Sequence, residues 1–238
     1  MSDPIVQSAY WDNIDPSVLA SQSAVFEKLG IPHLQVNTQG EHHGDWMTRM
    51  ALEAKDDVVV FCDIDAFPMT REIYDRAISV ARSGGIFGMA QVANHLAPEK
   101  IYAAPSFLAF SKDTYERLGR PSLEHTDTLD PAQLLTDKAH DAGVDVQLLY
   151  PGNFIIPKWP LSDYGVYGVG TFYGDKEVFH LFESRFSIHI QIFNAVSEDF
   201  VAGKLDFGRY LDLAQIPREP IKKKRFRGLR RLLKGKKK

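Results

Sequence analysis

Short apolar runs alternate along the first half of the chain with stretches in which apolar residues recur every three or four positions. Ile5 to Tyr10 reads as a strand, and Val18, Leu19, Gln22, Val25, Phe26 and Leu29 keep to one face of a helix that Asp15-Pro16 starts and Gly30 ends. His33 to Val36 predicts a second strand, and Trp46 to Ala54 a helix capped by Asp45. Val58 to Cys62 is apolar throughout, the pattern of a strand buried on both faces. A helix over Thr70 to Arg82, with Ile73, Ala77, Ile78 and Ala81 inward, and a strand over Ile86 to Val92 complete the series. Strand and helix in alternation predict an α/β fold, a mainly parallel sheet flanked by helices, with ligands beyond the strand C-termini.

The second half is less regular. Tyr102 to Phe110 predicts a strand, and Pro105 within it predicts an edge position or a bulge. Ser111 caps a short helix through Leu118. Asp130-Pro131 repeats the helix-start signal, with Asp130 as cap, Leu134, Leu135 and Ala139 inward and Gly143 as terminator; Val144 to Leu149 is then a strand. Residues 151–176, which include Tyr164 to Thr171, are so rich in glycine and proline that they predict a long loop, and its length suggests a lid over a site. Val178 to Arg185 follows, and Ser197-Glu198-Asp199 looks like a helix start.

At 238 residues, 44% apolar and 25% charged, the chain has the composition of a soluble globular protein with one main domain. No apolar run reaches the length of a membrane span and the N-terminus carries no signal segment, so a cytoplasmic location is expected. Cys62, the single cysteine, is expected to pack as a small hydrophobe. The net charge of −3 hides a division: residues 221–238 carry 11 of the 28 Lys and Arg and no acid, leaving 17 basic against 31 acidic side chains in residues 1–220. We therefore read residues 1–220 as the folded domain and 221–238 as a polybasic tail.

The chemistry concentrates where the central strand ends, at Asp63-Ile64-Asp65. Side chains alternate along a strand, so both carboxylates are expected on one side while Ile64 turns inward. Two like charges close together call for a cation between them. Aspartates also simply end strands. Haloacid-dehalogenase phosphatases use such a pair too, but with a smaller residue where Phe67 stands; a Y-family polymerase string is similar, yet nothing else here fits a polymerase. Adjacent His42 and His43 could ligate metal, although an exposed loop pair usually does not.

In the run VVVFCDIDAFP and in the order of its elements, from roughly residue 4 to residue 195, the chain resembles the metal-dependent nucleotide-sugar glycosyltransferases of the Rossmann-like GT-A fold. That resemblance implies Mn2+ or Mg2+ held by Asp63, Asp65 and a late histidine, His180, against the diphosphate of a nucleotide-sugar donor. Imidazole suits manganese better than magnesium. The resemblance implies further that Asp63 contacts the donor. The chain departs from the family pattern in its early base-reading loop, of which only Tyr10, Trp11 and Asp12 are identifiable; their aromatic rings and carboxylate could serve a uracil and thus a UDP-sugar. Arg185 could pair with a phosphate or equally with a structural carboxylate. For an inverting reaction the base candidates are Glu124 and Asp127, with Glu183 a weaker one; Asp130 is set aside as a helix cap. No Glu-Asp or Asp-Glu pair of the kind that marks many inverting members stands in the acceptor half. The rival class is a non-catalytic, transferase-like scaffold recruited by its tail.

In that tail Phe226, Leu229, Leu232 and Leu233 form a narrow stripe opposite the basic residues on a helix, the pattern of a segment lying on an anionic membrane surface. A glycolipid or lipid-linked saccharide acceptor at the inner face of the membrane would suit it. The acidic body would repel nucleic acid, so none is expected as a partner.

Overall fold

The computed structural model describes residues 2–93 and 97–217; the polybasic segment 221–238 lies outside the described residues. The predicted alternation is present: β1 (Val6–Tyr10), α1 (Pro16–Leu29), β2 (His33–Asn37), α2 (His43–Glu53), β3 (Val58–Cys62), β4 (Ala66–Pro68), α3 (Arg71–Arg82) and β5 (Ile86–Ala93). Local signals explain several boundaries. The Asp15 carboxylate accepts from Ser17 N with Pro16 following it, and the Thr70 hydroxyl accepts from Ile73 N.

One six-stranded sheet carries the order β2-β1-β3-β6-β5-β7, where β6 spans Ala97–Ser111 and β7 Val146–Leu149. Neighbours β2, β1 and β3 run parallel, as do β5 and β7, while β6 is antiparallel to both β3 and β5. The sheet is therefore mainly parallel with one reversed strand. Its two faces bury different side chains of β3. Val58, Val60 and Cys62 join the core under α1 and α3, and Val59 and Phe61 join the core with Trp46, Met47, Phe110 and Leu135. Cys62 packs in that first core as expected, and burial pushes its thiol well up.

Several expectations are corrected. Strand β6 is interior, not an edge; the bulge half of the expectation holds, since the register jumps from Phe87↔Ala109 to Met89↔Ala104, and Pro105, which has no N–H to donate, falls in the interval. Helix α2 starts at His43 without a side-chain cap, and Asp45 lies in its first turn. Gly44 falls in the added turn: a Cβ there would lie 2.4 Å from the Glu124 Cα, so the 123–124 backbone packs directly on the helix end. The Ser111 cap of α4 (Lys112–Arg117) holds, but Asp130 caps nothing. Helix α5 (Gln133–Asp141) follows Ala132, which is in the left-handed region, and Asp130 belongs to the preceding turn through its carbonyl, which accepts from Gln133 N. Ser197 is interior to α6 (Ser187–Ala202), its hydroxyl donating to the Ser21 carbonyl across the contact with α1.

The largest correction concerns residues 151–176, which are not one long loop. They form β8 (Pro151–Phe154), β9 (Pro157–Pro160), β10 (Val166–Gly168) and β11 (Gly170–Tyr173). Strands β9 and β10 pair as a hairpin, and β4, β12 (Val178–Leu181), β11 and β8 form a second, antiparallel sheet in that order. Tyr167 to Tyr173 are buried throughout. Glycine serves close approach here: a Cβ on Gly168 would lie 2.1 Å from the Ile156 carbonyl oxygen. Gly168→Ala should therefore cost about 2 kcal/mol by forcing two backbones apart, lowering Tm by roughly 4–8 °C for a chain of this size. An unchanged melting curve would contradict this packing. Helix α7 (Phe207–Ala214) then closes over Phe172 through Phe207 and Tyr210.

Candidate active site

The ladder of β3 ends at Cys62, and the chain turns at once into β4 of the second sheet, with Ala66 N donating to the Asp63 carbonyl at 3.0 Å. Asp63 and Asp65 thus stand in a turn at the seam between the sheets, not on a strand, and it is the turn that brings both carboxylates to one side. Backbone bonding from β12 fixes the other half of the seam. Leu181 N donates to the Asp65 carbonyl at 2.8 Å, and His180 sits opposite Ala66 in the β4–β12 register.

That register carries the imidazole to the carboxylates. His180 Nε2 lies 3.8 Å from Asp63 Oδ2 and 3.7 Å from Asp65 Oδ1, too far for hydrogen bonds. One ligand atom from each of the three residues lies within 4.8 Å of the others. Burial raises the carboxyl of Asp63 to about 7; Asp65 is raised to about 7 by burial and by the charge of Asp63, against which the Ser184 hydroxyl and Arg185 act. Burial lowers His180 to about 3, so its ring is neutral with a lone pair free to ligate. Its Nδ1 is buried with no hydrogen-bond partner among the described residues. Two carboxylates and a neutral imidazole that converge without bonding to each other fit a divalent cation with mixed oxygen and nitrogen ligands, as manganese accepts.

Two clefts meet at this turn. The larger, about 660 Å3, is lined by Tyr10 at the end of β1, by Trp11, Asn13 and Ile14 after it, and by Ser184, Arg185 and Phe186 after β12. The smaller, about 270 Å3, is lined by Gln91, Tyr102, Asp130, His180 and Phe182 among others. His43, Asp63, Asp65 and Glu183 belong to both.

Of the residues singled out in the sequence, Tyr10, Trp11 and Arg185 line the larger cleft with the aspartates. Asp12 is exposed and lines neither cleft; its carboxylate accepts from Asn37 Nδ2 at 3.3 Å. Glu124 and Asp127 are exposed on the loop after α4 and line neither cleft. Asp130, set aside as a cap, faces the smaller cleft and accepts from the Tyr102 hydroxyl at 3.3 Å. Glu183 pairs with Lys158 of β9, which ties the β9–β10 hairpin to the wall between the clefts.

Two further residues belong to the site: His43, set aside in the sequence as one of an exposed loop pair, and Gln22, given there no role beyond the helix face. His43 stacks on Trp46 and brings Nε2 to 3.5 Å from Asp63 Oδ1, while its neighbour His42 is exposed. Gln22, fully buried, donates to the Asp63 and Ala66 carbonyls from behind the turn. Its signal was visible: one amide on the apolar stripe of α1.

No known family model matches the sequence, and neither does any curated protein. Among solved structures, the chain is similar to a mannosyltransferase from Pyrobaculum calidifontis in complex with GDP-Man and Mn2+, with 12% identity, a TM-score of 0.45 and coverage of 90% of this chain and 74% of that one. It is similar also to a mutant Drosophila beta-1,4-galactosyltransferase 7 in complex with manganese, UDP-Gal and xylobiose (13% identity, TM-score 0.43, 71% of each chain). A third is the 2-C-methyl-D-erythritol 4-phosphate cytidylyltransferase of Thermus thermophilus (13% identity, TM-score 0.44, 83% of this chain and 100% of that one).

Proposed function

We propose that the chain is a glycosyltransferase that uses a divalent metal, Mn2+ in the first place, to move a sugar from a nucleotide-sugar donor to an acceptor hydroxyl. The observation that carries this reading is the convergence of Asp63, Asp65 and His180 on one point at the junction of two clefts of unequal size. Asp63, Asp65 and His180 would hold the ion, which supplies positive charge against the diphosphate when bound.

The chain's own residues divide the remaining work. Tyr10 and Trp11 offer aromatic faces to a nucleobase, with a UDP-sugar the first donor to test, and Arg185 offers a guanidinium to a phosphate. The acceptor enters the smaller cleft. There Asp130, oriented by the Tyr102 hydroxyl, takes the proton of the attacking hydroxyl, in place of the exposed Glu124 and Asp127. The oxygen so released bonds to the anomeric carbon as the bond to the diphosphate breaks, and the nucleoside diphosphate leaves with that electron pair. A base on the acceptor side implies inversion at that carbon. Incubating a panel of UDP- and GDP-sugars with the full chain and Mn2+ tests the reading, since nucleoside diphosphate should be released with Mn2+ and not with excess chelator. Release from none of them, with any sugar acceptor supplied, would contradict it.

The basic segment 221–238 bears on where the acceptor lies. Each basic residue near an anionic bilayer contributes about 1 kcal/mol, and among the described residues no helix is long and apolar enough to cross a membrane. The acceptor we infer is a glycolipid or lipid-linked saccharide, reached by peripheral attachment to the inner face of the membrane. Deleting residues 221–238 should abolish cosedimentation with phosphatidylserine-containing liposomes and leave nucleotide binding unchanged. Cosedimentation of the truncated chain at the level of the full chain would refute the attachment.

A further inference from the structure

The turn that presents Asp63 and Asp65 is held from behind by one side chain. Gln22 Nε2 donates to the Asp63 carbonyl and to the Ala66 carbonyl, both at 2.8 Å, so the two protons of a single amide bracket the segment that carries both carboxylates. Its Oε1 accepts from Gln35 Nε2 of β2 at 3.0 Å, and the same Gln35 nitrogen donates to the Leu19 carbonyl at 2.9 Å. This wiring admits one orientation. Turning over the Gln22 amide would set its oxygen against two carbonyl oxygens and its NH2 against that of Gln35. The Gln35 amide is in turn fixed by Leu19.

Gln22 is fully buried on the apolar stripe of α1, between Val18 and Val25. A buried amide is costly there unless it is bonded, and here both ends are. The turn does not need it merely to close, because Ala66 N already donates to the Asp63 carbonyl. What Gln22 adds is a fixed spacing between the backbone on either side of the two carboxylates, and hence their aim toward His180.

We propose that Gln22, oriented by Gln35, is a positioning residue for cation binding by the Asp63–Asp65 turn. The proposal rests on the reading that this turn holds a divalent metal. Side chains behind the ligands of a metal site typically change affinity by about 10–100-fold. Manganese titration followed by the loss of the free Mn2+ paramagnetic resonance signal measures this without any turnover. Wild type should bind Mn2+ at this site, Gln22→Leu should bind it at least about 10-fold more weakly, and Gln35→Leu should fall between the two. Val25→Ala, one turn along the same helix and without a polar group to bond the turn, should lower Tm and leave Mn2+ affinity at the wild-type value, which separates aim from stability. Wild-type affinity in Gln22→Leu overturns the proposal. If Gln22→Leu does not fold, Gln35→Leu decides, and wild-type affinity there overturns the proposal as well. Failure of the wild type itself to bind Mn2+ instead overturns the metal reading, and the proposal with it.

Discussion

Asp63→Asn and Asp65→Asn should each lower transfer by on the order of 1,000-fold, because the stabilisation that a bound metal would give the negative charge developing on the leaving diphosphate is worth several kcal/mol and each 1.4 kcal/mol is tenfold in rate. The same variants should be more stable than wild type when metal is withheld. Both carboxyls are raised from 3.8 to about 7 by burial, Asp65 also by its neighbour. The folded protein then binds more protons than the unfolded chain between about pH 4 and 7, so these groups reduce stability as pH rises through that window. Asparagine does not ionise. The advantage of the variant should therefore grow from pH 5 to pH 8 and level off above it. Asp63 and Asp65 side chains are 22% and 16% exposed, so water screens part of the effect and about 1–2 kcal/mol remains, a few degrees in Tm. Half-buried His43 and buried His180, lowered to about 4 and about 3 by burial, act in the opposite sense and are lost from the comparison because both proteins contain them. With Mn2+ added the order should reverse, since only wild type gains the stabilisation of a bound ligand. A variant less stable than wild type at pH 8 without metal would contradict the burial of two like-charged carboxylates at this seam.

Asp130→Asn should lower kcat by about 100- to 10,000-fold, the range for a positioned proton acceptor, with the affinity for Mn2+ and nucleotide unchanged. Asn keeps the shape and still accepts from the Tyr102 hydroxyl but takes no proton. Tyr102→Phe should show a smaller loss, because it removes only the group that orients Asp130. Single-turnover rates alongside direct nucleotide titration separate the two quantities. Glu124→Gln and Asp127→Asn, both on the exposed loop, should turn over as wild type does. A product that retains the anomeric configuration of the donor would rule out Asp130 as the base.

Much of the first half was legible because its signals are local. A run of five buried residues needs no partner to declare itself, and the caps at Asp15 and Ser111 act within three residues of themselves. The failures have tertiary causes. An apolar run does not encode strand direction, so the reversed strand β6 was invisible. Gly44 lets the loop at 123–124 press on the first turn of α2, and that contact joins residues some eighty positions apart, beyond the reach of a local signal such as Asp45. Glycine itself is ambiguous: in 165–171 it could mean a mobile loop or strands packed backbone to backbone, and Gly168 against Ile156 is the second case.

The candidate site divides in the same way. Asp63, Asp65 and His180 were picked out in the sequence, and the pairing of β12 with β4 brings them together. Of the candidate bases, Glu124 and Asp127 stand exposed, while Asp130, set aside as a cap, lines the smaller cleft. The three lie close together on one polar segment, and only the fold separates those turned to solvent from the one turned inward.

The most direct test is to locate the ion itself. Crystals of the full chain soaked with MnCl2 and UDP, measured at the manganese absorption edge, should show one strong anomalous peak at bonding distance from Asp63, Asp65 and His180, with the diphosphate on its larger-cleft side. Well-ordered crystals at saturating Mn2+ and UDP with no peak there, or with the peak at other side chains, would contradict the account.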